Sequence, residues 1–232
     1  MPDGYTAVVG RISYHEPGHV AHHFDDAAQQ KESATLGMWA FLCTEVLFFG
    51  PLFAAYALYR NMGGDFSKAF LEGSQHLSFW SGTLNTGVLL CSSFAMAMAV
   101  HSAATGNVKK LANFLILTII LGTAFLVVKG FEYHAEWKEQ LVPALNWSYQ
   151  FEGETRLPQL QLFFLFYFTM TAIHALHMII GISVMLVLLR NTLKGRYSAA
   201  YHNPIEITGL YWHFVDIVWV FLFPMMYLLR HA

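Results

Sequence analysis

Leu36 to Tyr59 reads LGMWAFLCTEVLFFGPLFAAYALY, twenty-four residues in which Glu45 is the one charged side chain. At about 1.5 Å of rise per residue the stretch spans about 36 Å as a helix, enough to cross a hydrocarbon layer of about 30 Å with some tilt. A carboxyl group at mid-depth costs about 3 kcal/mol on insertion scales, so Glu45 should face protein, water or a lipid headgroup, or carry a proton. Two readings of Glu45 follow: an ionisable group with a task inside the membrane, or a neutral acid that only fixes helix packing.

The rest of the chain fits this setting. Of 232 residues 56% are hydrophobic, 16% aromatic and only 12% charged, far from the roughly 25% charge of a soluble domain. The pattern resolves into an all-α, polytopic membrane bundle of five transmembrane helices, with spans at about 36–59, 79–101, 111–131, 159–189 and 207–229. Residues 36–232 form the membrane domain, preceded by a polar leader, residues 1–35, that holds His15, His19, His22 and His23 without a recognisable metal-ligand spacing. The leader has no apolar core of the kind a signal peptide needs, so the first span is expected to direct insertion. Residues 60–78 read as an aqueous loop, and residues 138–158 as the longest connection between spans. The net charge of −2 gives no basic arm for nucleic acid. Cys43 and Cys91 both fall inside apolar runs and form no CxxC or Cys/His set. Walker, dinucleotide, nucleophile-elbow and HExxH patterns are absent from the sequence.

Five spans put the termini on opposite sides. The densest basic residues near helix ends, Lys109, Lys110, Arg190, Lys194 and Arg196, lie on the N-terminal side, which orients the N-terminus to the cytoplasm.

Polar residues inside the spans are the candidates for chemistry. His213 and Asp216 stand three apart on the last span and so share a face. Asp216 and Glu45 each lie about ten residues in from the same surface, hence about 15 Å deep, where they could frame a proton-accessible or headgroup-binding cleft. The alternative pairs Asp216 with His213 or a neighbouring helix. His174 and His177 share a face of the fourth span; at that spacing they cannot bracket a haem iron from opposite sides, and hydrogen bonds across the bundle suit them better. Asn85, with the small and hydroxylated residues around it, suits close helix approach and interhelical hydrogen bonds, and Glu132, like His174, His177 and Asn85, is expected to serve as a packing and hydrogen-bonding polar group. Lys129, Glu132, Tyr133, His134, Glu136 and Trp137 read as an interfacial cluster where the third span leaves the bilayer.

Five stretches taken together resemble one family: LGMWAFLCTEVLFF from 36, LNTGVLLCSS from 84, GFEYHAEW from 130, HALHMIIG from 174 and YWHFVDIVWVFLF from 211. They fall on all five spans in the order of subunit III of the haem-copper respiratory oxidases, in its five-helix bacterial form. The resemblance implies a non-redox accessory subunit of a proton-pumping terminal oxidase in a bacterial inner membrane, with no cofactor of its own. Haem and copper would then reside in partner subunits. It further implies packing against subunit I, with subunit II in the same complex, structural phospholipid held between helices, and support of proton uptake and sustained turnover. The family's intramembrane carboxyl falls on Glu45, and family-like positions fall on Glu132, His174, His177, His213 and Asp216. Ala175, Lys129 and Pro51 depart from the family pattern, in which glycine is usual at the first and glutamine common at the second. Within the resemblance, a quinol oxidase or a nitric-oxide-reductase-associated protein is the neighbouring reading. Outside it stand a free proton or ion carrier built on Glu45 and Asp216, and a haem-bearing electron carrier.

Overall fold

The computed structural model describes residues 24, 26–143, 145–147 and 157–228. The histidines at 15, 19, 22 and 23 and most of the connection after Lys138 lie outside the described residues. Six helices follow in order: α1 (Ala27–Asn61), α2 (Gly64–His76), α3 (Phe79–Ala104), α4 (Val108–Lys138), α5 (Leu157–Leu193) and α6 (Asn203–Tyr227). All except α2 are long and apolar enough to cross a membrane.

Local chemistry sets the helix ends. Asp26 caps α1 by accepting from the Gln29 amide at 2.7 Å, so this helix begins within the stretch read as a polar leader. Asn107 caps α4 by accepting from the Lys110 amide at 3.1 Å, after Gly106 at φ 73° has turned the chain. That turn makes α3 and α4 an antiparallel hairpin with the most extensive packing in the bundle. Gly63 and Gly64, at φ 76° and 59°, redirect the chain from α1 into α2.

Helix α2 corrects the reading of residues 60–78 as a loop. Phe66, Ala69, Phe70, Gly73 and Ser74 recur at helical spacing and form the inward face, all but Phe66 fully buried, while Asp65 and Lys68 point outward. The helix lies on α5 so closely that a Cβ at Gly73 would meet the Phe163 ring.

α6 is the central element, packed against α3, α5 and α1, and α1 is the most peripheral span. The Trp212 indole fills the space between three helices: a Cβ at Gly122 on α4 would stand 2.8 Å from its Cη2, and one at Gly181 on α5 2.9 Å from its Cε3. Its Nε1–H donates to Ser92 Oγ on α3 at 3.0 Å, and one helical turn pair further along Trp219 Nε1 donates to Thr86 Oγ1 at 3.1 Å. Two indoles of α6 are thus hydrogen-bonded to hydroxyls of α3, which suits an apolar medium where van der Waals packing and interhelical hydrogen bonds hold helices together.

Candidate functional site

The Glu45 side chain of α1 meets α5. Its Oε2 lies 3.1 Å from His177 Nε2, and both side chains are about one-sixth exposed. His177 Nδ1 is 2.8 Å from the Ile173 carbonyl. A carbonyl can only accept, so Nδ1 carries a hydrogen, and in a neutral ring Nε2 is then an acceptor. An ionised carboxylate also only accepts. The short contact therefore requires one proton more than a neutral histidine beside a carboxylate supplies: a carboxylic acid O–H donating to Nε2, or an imidazolium N–H donating to the carboxylate. Tyr211 Oη of α6 donates to the His177 carbonyl at 2.9 Å, and the Phe49 ring packs 5.4 Å from the imidazole, so three helices fix the pair. Chemically it is a mid-helix site that holds one exchangeable proton and remains reachable from outside the bundle.

Asp216 does not join it. Trp212, His213 and Trp219 all hydrogen-bond to α3, His213 through Nδ1 to Ser93 Oγ at 2.7 Å. Asp216 lies between them on that same helix face, turned to α3 and away from α1. It is buried, and among the described residues neither of its oxygens has a hydrogen-bond partner. Counting residues from the helix ends put the two carboxyls at one depth, but the helix faces differ, so Glu45 and Asp216 frame no common cleft. Nor is Asp216 paired with His213.

His174 and Asn85, expected to hydrogen-bond across helices, are fully buried without a hydrogen-bond partner among the described residues. The His174 imidazole instead packs on the Phe125 and Trp219 rings, with centroids 5.5 and 5.3 Å away.

A second polar centre is built around Glu132, which the sequence offered as a packing and hydrogen-bonding group, and Lys129, which it did not. Lys129 and Glu132 are buried, because α4 runs on to Lys138 and holds them inside the bundle rather than at its edge. Lys129 Nζ donates to Tyr167 Oη of α5 at 2.8 Å and to Tyr227 Oη of α6 at 2.5 Å. Both phenols in turn donate to Glu132 Oε1, at 3.0 and 2.5 Å. Lys129 also lies 3.4 Å from Glu132 Oε2, which accepts from Ser81 Oγ of α3 at 3.3 Å. The result is a closed ring in which the ammonium, both phenols and the carboxylate are all partnered, as a buried ion pair requires. Lysine and glutamate three apart on a helix are a visible signal; the tyrosines that complete the ring are 38 and 98 positions away from Lys129. Among the described residues no group of three or more histidine, cysteine, aspartate or glutamate side chains is placed to hold a metal ion.

Comparison with known proteins places this architecture. The family model for cytochrome c oxidase subunit III matches residues 16–138 and 161–230. The chain is 31% identical over 206 residues to cytochrome c oxidase subunit 3 of Thermostichus vulcanus, covering 88% of this chain and 92% of the relative. It is 32% identical over 196 residues to cytochrome c oxidase subunit 3 of Hippopotamus amphibius, covering 82% and 67% respectively. To the probable cytochrome c oxidase subunit 3 of Mycobacterium leprae it is 30% identical over 196 residues, 84% and 88%. Five membrane-crossing helices and matches that run through all of them lead to one conclusion: the chain belongs to the cytochrome c oxidase subunit III family.

Proposed function

We propose that the chain is a non-redox accessory subunit of a proton-pumping cytochrome c oxidase in a bacterial inner membrane, with its N-terminus in the cytoplasm. It packs on the catalytic subunit I, with subunit II in the same assembly, holds phospholipid, and supports proton uptake through Glu45. Haem and copper belong to the partners in this reading. The observation that carries it is the Glu45–His177 contact, which needs an exchangeable proton at mid-membrane on a face that the bundle leaves accessible. The exposed apolar residues on either side of Glu45 along α1, Trp39, Val46, Leu47 and Phe48, suit lipid or a partner helix.

Purification of the native assembly through a tag on this chain tests the subunit role. Haem and copper are expected to co-purify with a larger partner and to remain with it when this chain is stripped away. A chain that purifies alone, or one that keeps a Soret band after separation, would reject the proposal.

The role of Glu45 is tested by Glu45→Gln. The Gln amide can still donate to His177 Nε2, so packing and assembly are expected to survive. It cannot release that proton, so turnover sustained over many cycles is expected to fall below wild type. Equal sustained turnover in an intact complex would leave Glu45 a packing residue.

A further inference from the structure

Around the ring of Lys129, Glu132, Tyr167 and Tyr227 every donor hydrogen can be assigned. The Lys129 ammonium has three N–H groups: one goes to Tyr167 Oη at 2.8 Å, one to Tyr227 Oη at 2.5 Å, and the third faces Glu132 Oε2 at 3.4 Å. The two phenol hydrogens go to Glu132 Oε1, and the Ser81 hydroxyl hydrogen to Glu132 Oε2. Thr171 Oγ1 lies 2.6 Å from the Tyr167 carbonyl, which can only accept, so the threonine hydrogen is directed there. The 2.5 Å contact between Tyr133 Oη and Thr171 Oγ1 therefore takes the Tyr133 hydrogen. None is left over.

Glu136 stands outside this count. It follows Glu132 by one turn on the same face of α4, it is only 4% exposed, and neither of its oxygens has a hydrogen-bond partner among the described residues. The charged and titratable groups that face it are Lys129, Glu132, Tyr133 and Glu139 of its own helix, Tyr167 of α5 and Tyr227 of α6, and His76 of α2 lines the adjoining pocket. Lys129 is the one ammonium in this set, and Glu132 already balances it. An ionised Glu136 would be a second carboxylate against that single ammonium, closed off from solvent and met by no donor. A carboxylic acid brings its own hydrogen and carries no charge, so it bears only the far smaller burial cost of a neutral polar group. With that proton in place the centre sums to zero: one ammonium, one carboxylate and one acid.

We infer that Glu136 is a proton-binding site of this chain, separate from the Glu45–His177 pair, and that its bound proton keeps the Lys129–Glu132 centre neutral where α4, α5 and α6 meet. Uptake joins one proton to the carboxylate to give the acid; release reverses this and leaves two carboxylates on one ammonium. Infrared difference spectroscopy of the purified native assembly at neutral pH tests the site, because the C=O stretch of a carboxylic acid lies at higher frequency than the bands of a carboxylate. Glu136→Gln is expected to abolish one wild-type band in the acid region and to leave the carboxylate bands intact. The Gln amide resembles the neutral acid in shape and charge, so the assembly should form. Glu136→Asp, with its carboxyl on a stem one methylene shorter, is a second comparison that does not depend on the Gln variant folding. In either comparison the wild-type band that disappears decides: one in the acid region establishes the site, and one in the carboxylate region overturns it. Glu45→Gln should leave the Glu136 band at full amplitude, and loss of the band there would overturn the separation of the two sites.

Discussion

Replacing Lys129 by methionine is expected to destabilise the subunit by about 3–5 kcal/mol, because it leaves Glu132 as an uncompensated carboxylate inside the bundle. Methionine fills most of the lysine's volume, so the loss is electrostatic rather than a cavity effect. Two phenols still donate to Glu132 Oε1, but each loses the ammonium that donates to its own oxygen. Glu132→Gln should cost a similar amount for the mirror reason, a buried ammonium without its countercharge. The double substitution Lys129→Met with Glu132→Met removes both charges and should recover most of the loss, leaving two phenols and the Ser81 hydroxyl without their carboxylate acceptor. Thermal release of this subunit from the purified assembly, compared across the double-mutant cycle, measures the coupling. Additive single effects would show that the two residues do not act as a pair.

The second large effect is expected at Trp212. Trp212→Ala should cost about 3–5 kcal/mol through the cavity it opens, since the indole touches the backbones of α4 and α5 at Gly122 and Gly181. The Ser92 hydroxyl also loses the indole N–H it accepts from. Trp212→Phe should recover much of the packing but not the hydrogen bond, and so fall between the two. The same thermal assay reads both variants, and an alanine variant as stable as wild type would remove Trp212 from the core that holds α3, α4, α5 and α6 together.

The spans were legible because membrane helices announce themselves locally, through long apolar runs with few charges. Glu45 stood out for the same reason. Its partner did not: His177 is 132 positions away, and both histidines of the fourth span share a sequence environment. Only the rotation of α5 decides that His177 turns to α1 while His174 turns to Phe125 and Trp219. Depth could be counted from a helix end, which is why Glu45 and Asp216 looked like neighbours, but azimuth could not. Helix α2 was missed because thirteen residues that open on a glycine pair and carry a mixed charge pattern look like a loop until the spacing of Phe66, Ala69, Phe70 and Gly73 is weighed. Lys129 was grouped with the charged residues at the end of its span because a charged run at the end of an apolar one ordinarily marks the exit from the bilayer, yet it is buried in the bundle. What outweighed that rule was a pair of phenols contributed from far along the chain.

Tyr227 is the final residue of the last helix, and the order of synthesis gives its place a meaning. While the ribosome is still making α6, α4 has already entered the membrane with an ammonium and a carboxylate short of one of their phenols, and Trp212 has not yet reached its seat against α4 and α5. The ring around Lys129 and Glu132 can close only once Tyr227 has been made and has reached them. A chain cut before Tyr227 is therefore left with an ammonium and a carboxylate inside the bundle that each lack one hydrogen-bonding partner, so the last turn of α6 completes a charge pair laid down in α4.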